Sequence, residues 1–296
     1  MMRRLRQAAL LCGLATLAAP ADDLIGRPTT STIAAGETLL DLARRYDLGF
    51  AEIVAANPLL DPWLPPSDSS VLLPTQHILP AGPRNGILIN LAELRLYYFP
   101  ADQSAALSYP LGIGREGWQT PLGTTRIARK RAHPGWSPTA TERAEDADLP
   151  QWVPPGPDNP MGEYALYLQW PGYAIHGTNR PYSIGRRDSH GCIRLYPEDI
   201  AALYALVPTG ASVTVVDQPA KAGWMNAELF LEIHPGQAGA DALEAGERPP
   251  ATSSPALEGW LRVLAGTEAD RINWDTVRLT VQQQRGIPVQ ITSAHH

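Results

Sequence analysis

One thiol flanked by two imidazoles carries the chemistry of this sequence. Cys192 stands two residues after His190 and sixteen after His176, inside the stretch HGTNRPYSIGRRDSHGCIRL. A thiol is nucleophilic as its thiolate, and an imidazole within reach can take the proton. Gly191 lies between His190 and Cys192, where a missing side chain lets backbone approach a substrate closely. Ser189 and Thr178 offer short hydroxyls to orient the imidazoles. Arg186, Arg187 and Arg194 make the segment electropositive. Histidine and arginine neighbours are expected to lower the thiol pKa from its usual value of about 8.5. The set suits attack on an amide carbonyl, which needs a thiolate, a proton carrier and donors for the developing oxyanion. His176 and His190 are both candidate bases. At i−2 on an extended segment, His190 points the same way as Cys192, so spacing does not exclude it. Tyr182, Ser183, Arg186 and Arg187, on the loop between the histidines, are candidates for holding substrate carboxylates.

Two other function classes compete. His176, His190 and Cys192 could ligate zinc with His133 as a remote fourth, although no compact Cys pair or H-E-x-x-H helix accompanies them. A glycan-binding module with an inactive enzyme domain would also fit, but the HGT and SHGC segments keep both histidines and the thiol.

The elements that must position these residues read mainly as β. Gly86–Asn90 and Arg95–Phe99 form a predicted hairpin, and 106–112 and 122–130 continue the sheet. Tyr164–Trp170 and Tyr173–His176 deliver His176 to the cleft. Pro197 at a first helical position, followed by Glu198 and Asp199, starts a helix, and Ser212–Val216 closes the sheet. The acidic, proline-crowded stretch 142–160 cannot be a central strand and reads as a flap over the cleft. Ahead of this catalytic domain (86–217), residues 31–75 predict strand, helix, helix and strand, and 76–85 a linker punctuated by Pro and Gly. Behind it, the extension 218–296 predicts a strand at Glu228–His234, a mobile Ala/Gly/Pro-rich stretch at 237–254, and helices at Pro255–Ala265 and Asn273–Gln284. The fold class is therefore a mainly β catalytic domain with one or two short helices, a small βααβ unit and a short α/β tail.

Residues 1–21 have the layout of a secretory signal peptide: Arg3, Arg4 and Arg6, an apolar run from Ala8 to Ala19, then Ala19-Pro20-Ala21. Cys12 falls inside that run and follows Leu11, which argues against a lipid anchor. No later apolar run approaches the roughly 20 residues of a membrane span. Cleavage would remove three positive and no negative charges, taking the net charge from −6 to −9. An acidic exported protein is a poor partner for nucleic acid or an anionic membrane. It would also keep a single cysteine in an oxidising compartment, where thiols are usually paired, and catalysis is the best reason for that.

HGT followed by SHGCIRL resembles the YkuD-type L,D-transpeptidases of bacterial cell walls. The likeness runs over about residues 31–235 and is strongest at GIGREGWQTPLGTT and HGTNRPYSIGRRDSHGCIRLYPEDI. It implies a YkuD-like β-sandwich or barrel, a periplasmic enzyme without a cofactor, and peptidoglycan stem peptides and glycan strands as partners. In this family the thiolate attacks the third-residue carbonyl of a stem tetrapeptide, D-alanine leaves, and an amine resolves the acyl-enzyme. The resemblance implies Cys192 as nucleophile, His176 as base and the Gly177 carbonyl as the group orienting it. It also implies His190 and Gly191 beside the nucleophile, with backbone amides for the oxyanion. Ser189, Gly191, Arg194, Tyr182 and Arg187 are the expected substrate contacts. Arg194 stands where many members carry Asn, as in the ErfK/YbiS/YcfS-like subgroup, which includes wall cross-linkers and enzymes that attach a Braun-type lipoprotein. The acceptor is thus a diaminopimelate amine or a lipoprotein lysine, with water, giving a carboxypeptidase, as the alternative. GETL before the first helix and NP after the second in 31–75 resemble a LysM domain, implying a shallow glycan groove; a structural cap without sugar affinity is the other reading.

Overall fold

The computed structural model describes residues 22–102, 104–250 and 255–293; the predicted leader and Cys12 lie outside them. The N-terminal unit runs β1 (Leu24–Gly26), β2 (Thr29–Thr32), α1 (Leu39–Arg45), α2 (Phe50–Ala56), β3 (Ser70–Leu73) and β4 (Gln76–Ile78). α1 starts where Thr38 caps the Asp41 amide and the Asp41 carboxylate accepts from the Thr38 amide, a reciprocal pair that satisfies free helix donors. Leu39, Leu42, Phe50, Ile53, Val71 and Leu73 close a small core of their own. β2 pairs antiparallel with β3, and β1 with β4, so Gln76–Ile78 is paired strand.

The catalytic region follows as β5 (Gly86–Asn90), β6 (Arg95–Phe99), β7 (Leu107–Pro110), β8 (Ile113–Gly114), β9 (Gly123–Ala132), α3 (Ala140–Glu145), β10 (Tyr164–Leu168), β11 (Ala174–His176), β12 (Arg187–Ser189), β13 (Ile193–Arg194), α4 (Pro197–Leu206) and β14 (Ser212–Val216). Eight strands make one sheet in the order β13-β11-β10-β9-β14-β5-β6-β7. Apolar residues alternate along these strands, and Ile87, Ile89, Leu96, Ile127, Leu166, Ile175, Val213 and Val215 share one core. α4 packs on β10 and closes that core with Ile200 and Leu203. The molecule is mainly β, with few helices. α3 leads into the predicted flap: Thr139-Ala-Thr-Glu142 is a capping box, with the Thr139 hydroxyl accepting from the Glu142 amide and the Glu142 carboxylate from the Thr139 amide.

The C-terminal unit contains β15 (Ala220–Met225), β16 (Glu228–Ile233), α5 (Gly236–Glu244), α6 (Pro255–Ala265), α7 (Trp274–Gln283) and β17 (Val289–Gln290). The first part of the stretch expected to be mobile, 237–244, instead lies in α5, and 251–254 fall outside the described residues. Four of the nine α5 residues are Ala or Leu, strong helix formers, and Ala240 and Leu243 pack on the catalytic core. The three units meet around a buried cluster of charges. Glu52 from α2 pairs with Arg95 from β6 at 2.8 Å. Lys221 from β15 lies 2.5 Å from Glu93 and 3.1 Å from Glu232. His234 bonds Glu232 at 2.7 Å, and His77 from β4 completes the group.

Candidate active site

Cys192 and His176 are brought together by a strand pairing. β11 and β13 run parallel with Ile175 opposite Ile193 and His176 opposite Arg194. Residues two apart on a strand share a face, so Cys192, Arg194, Ala174 and His176 project to the same side of adjacent strands. Cys192 is a free, partly buried thiol that joins an apolar cluster of Met161, Ala165, Ala174, Trp136 and Tyr167. Met161 and Trp136 come from the insertion between β9 and β10. Asn159 organises it by donating to the carbonyls of Pro134, Val153 and Pro154 and accepting from the Met161 amide.

His176 is buried, and its Nδ1 lies 2.6 Å from the Gly177 carbonyl oxygen. A carbonyl only accepts, so in the neutral ring Nδ1 carries the proton and Nε2 the basic lone pair. Burial, reinforced by the Arg194 charge, pulls the imidazole from 6.5 down to about 4, against the Gly177 and Met161 carbonyls. The thiol is pushed the other way. Burial raises the Cys192 pKa above its ordinary value, outweighing the Ala174 amide and Arg194, with Glu142 adding to the rise. At rest the thiol donates to the Gly172 carbonyl at 3.6 Å. The resting pair is thus a neutral thiol beside a neutral imidazole, which differs from the lowered thiol pKa expected from nearby arginines. The arginines are already spent. Arg194 bonds Asp188 at 2.6 Å, Arg186 bonds Glu244 at 2.6 Å, and Arg187 pairs with Asp241 and lies 3.3 Å from the Gln237 carbonyl.

The two hydroxyls expected to orient imidazoles hold backbone instead. Ser189 Oγ donates to the Cys192 carbonyl at 2.6 Å and accepts from the Gly191 amide at 3.2 Å. Thr178 Oγ1 accepts from the Arg180 amide. His190 does not share an extended run with Cys192, because Gly191 between them has φ +100° and turns the chain. A side chain there would meet the Tyr173 ring at 3.0 Å, so glycine serves both the turn and the close approach. His190 is taken up by α3. Its Nε2 lies 3.0 Å from Glu145 and 3.2 Å from Arg115, its Nδ1 3.4 Å from Glu142, and its ring stands edge-on to Trp118. Tyr182 is exposed at the seam with the N-terminal unit, where it lines a shallow pocket with Leu40, Arg44 and Phe50. His133 pairs with Glu163 on the surface. Among the described residues the set close enough to hold a metal ion is His77, Glu93 and Glu232, and not His176, His190, Cys192 and His133. Lys221 already supplies a cation between those two carboxylates.

Sequence reasoning missed Glu142, Glu145 and Arg115 around His190, and Gly172 beside the thiol. The capping box at Thr139 was a local signal for α3, but nothing local says that its acids reach a histidine 45 residues away.

A family model for the L,D-transpeptidase catalytic domain, YkuD, matches residues 84–215. The chain is 40% identical to the probable L,D-transpeptidase ErfK/SrfK of Escherichia coli strain K12, over 91% of this chain and 88% of that one. It is 39% identical to the probable L,D-transpeptidase YbiS of the same strain over 90% and 88%. It is 42% identical to the probable L,D-transpeptidase YcfS over 67% and 65%. Likeness at this level spans the accessory units as well as the sheet that carries Cys192 and His176, and the chain belongs to the YkuD-type L,D-transpeptidase family of the ErfK, YbiS and YcfS kind.

Proposed function

We propose that the protein is a cysteine L,D-transpeptidase of peptidoglycan with Cys192 as nucleophile and His176 as base. The observation that carries this is the parallel register of β11 and β13. It sets thiol and imidazole on one face of neighbouring strands while the Gly177 carbonyl fixes the ring's tautomer. Because the resting thiol is protonated, its proton passes to His176 Nε2 as sulfur attacks the third-residue carbonyl of a stem tetrapeptide. A carbon–sulfur bond forms, the amide carbon–nitrogen bond breaks, and the imidazolium returns its proton to the departing D-alanine amine. An acceptor amine then attacks the thioester, giving up a proton to His176, and the thiol is regenerated. The turn at Gly191 presents backbone to the developing oxyanion, and Ser189 keeps that turn in place.

The Glu142 carboxylate on α3, whose charge reaches Cys192, gives the approach to the thiol an acidic character that suits an amine acceptor, a diaminopimelate amine or a lipoprotein lysine, over water. The protein acts on the exported side of the membrane, with residues 1–21 as its leader; no described helix is long and apolar enough to cross a membrane. The N-terminal unit holds the enzyme on glycan strands in the manner of a LysM domain, with the exposed Trp63 as a stacking surface. Incubation of the full chain with a tetrapeptide donor and both amine acceptors, read by mass analysis, tests the assignment. The expected outcome is an amide product with release of D-alanine, lost in Cys192→Ala. Accumulation of tripeptide without either amide would make the enzyme a carboxypeptidase.

A further inference from the structure

The accessory units meet the catalytic region at the segment that leads into the nucleophile. Residues 184–189 run from the loop after His176 into β12 and end three residues short of Cys192. On one side, the Phe50 and Ala51 amides at the start of α2 donate to the Ile184 and Gly185 carbonyls at 3.1 and 3.2 Å. Gly185 sits so close to Gly49 that any side chain would clash with backbone. The Arg186 guanidinium stacks 3.8 Å over the Phe50 ring. On the other side, α5 contributes Glu244 to Arg186 and Asp241 with the Gln237 carbonyl to Arg187.

Two adjacent guanidiniums are thus held largely out of water, at 12% and 7% side-chain exposure, by carboxylates from an element fifty residues further on. Neither Nε has a hydrogen-bond partner, so most of the compensation for their burial comes from α5 and the Phe50 face. Remove a carboxylate and the guanidinium gains by turning outward to water. Arg187 lies on β12, which pairs with β8 through Arg187 and Ser189, so a shift at Arg187 falls on the strand that carries Ser189. Ser189 is the residue whose hydroxyl holds both the Cys192 carbonyl and the Gly191 amide. A continuous path therefore joins α5 to the nucleophile's turn: Asp241, Arg187, β12, Ser189, Cys192.

We propose that Asp241 and Glu244 of α5 are positioning residues for the reaction, acting through Arg187 and Arg186 to set the turn that carries Cys192. The C-terminal extension then tunes a nucleophile it does not touch, and Arg187 serves the strand and not the substrate. This rests on Cys192 being the nucleophile, so Cys192→Ala is run alongside.

The test compares full-length wild type, Asp241→Asn and the exchange Arg187→Asp/Asp241→Arg. Each is assayed with soluble tetrapeptide and an amine acceptor, and for alkylation of Cys192 by iodoacetamide across pH, per folded molecule by circular dichroism. Arg278→Ala, which breaks an exposed pair with Asp275 on α7, serves as a control in the same unit. Asp241→Asn is expected to lower kcat about tenfold with KM unchanged and to displace the alkylation–pH profile. The exchange recovers most of both, and the control matches wild type. Wild-type kcat and alkylation in Asp241→Asn would overturn the proposal, as would a loss that the exchange fails to recover. Wild-type turnover by Cys192→Ala would instead remove the nucleophile assignment itself.

Discussion

Two buried histidines in this protein have nearly the same electrostatics and opposite company. His77 and His176 are 2% and 4% exposed, and burial pulls both imidazoles down, to about 3 and about 4. In each case a nearby arginine, Arg95 or Arg194, adds to the fall. Around His77 stand ionisable side chains and the edge-on Tyr97 ring. Glu52, Glu93, Glu232, Arg95, Lys221 and His234 come from three units and pair with one another. Burial pushes Glu232 up, yet Lys221 and His234 outweigh it and hold the carboxyl well below its usual range. Around His176 stand the Gly177 carbonyl on Nδ1, the Met161 carbonyl, the Arg194 charge and a thiol on the next strand. A shifted pKa therefore does not separate a working histidine from a structural one. The neighbours do: paired ions at a seam lock units together, whereas an imidazole with one nitrogen fixed beside a thiol can move a proton.

Substitutions on the two sides should fail in different ways. His176→Ala is expected to lower turnover by about 10² to 10⁴, the range of a lost general base, with little change in melting temperature. His190→Ala should cost far less, since that ring is occupied by Glu142, Glu145 and Arg115. Steady-state rates on soluble muropeptide decide it, and a larger loss for His190→Ala would reverse the assignment of the base. Lys221→Ala should do the opposite. It removes the cation that lies between Glu93 and Glu232, costing about 3–5 kcal/mol of stability by denaturant unfolding, while turnover per folded molecule is unchanged.

A smaller effect distinguishes the sites by pH. An unfolded histidine titrates near 6.5, while native His77 stays neutral down to about 3. Between those values the unfolded chain binds more protons, so stability rises with pH across the window, is complete above 6.5 and is lost as pH falls toward 3. His77→Gln should remove one proton's worth of that slope in unfolding measured from pH 3 to 7. With His176 as the proposed base, activity should follow that residue instead. Its base form persists above about pH 4, so kcat/KM should show no inflection near 6.5. An inflection there would mean that the base has an ordinary imidazole pKa.

Local order was legible in the sequence because it follows from local rules. The β5–β6 hairpin comes from two β-rich runs with a short connection, and α4 from Pro197 followed by Glu198 and Asp199. The HGT and SHGC segments carried the family. What could not be read was which distant group each charge would meet. Arg186 and Arg187 look electropositive on paper and are neutralised by Glu244 and Asp241, on a helix whose Ala/Gly composition had suggested a loose chain. The hydroxyls of Ser189 and Thr178 went to backbone: Ser189 serves the amide and carbonyl left by the turn at Gly191, and Thr178 the Arg180 amide two residues on. Burial of the thiol likewise depends on Met161 and Trp136, from an insertion that composition shows only as acidic and proline-rich.

The most direct test of the central claim is the mass of the enzyme caught in turnover. Full-length protein is mixed with a stem tetrapeptide without acceptor, quenched in acid at short times, digested and mapped. A tripeptide acyl group is expected on the fragment containing Cys192, appearing as D-alanine is released, slowed in His176→Ala and absent from Cys192→Ala. Release of D-alanine with no adduct on that fragment, or at the same rate in Cys192→Ala, would contradict it.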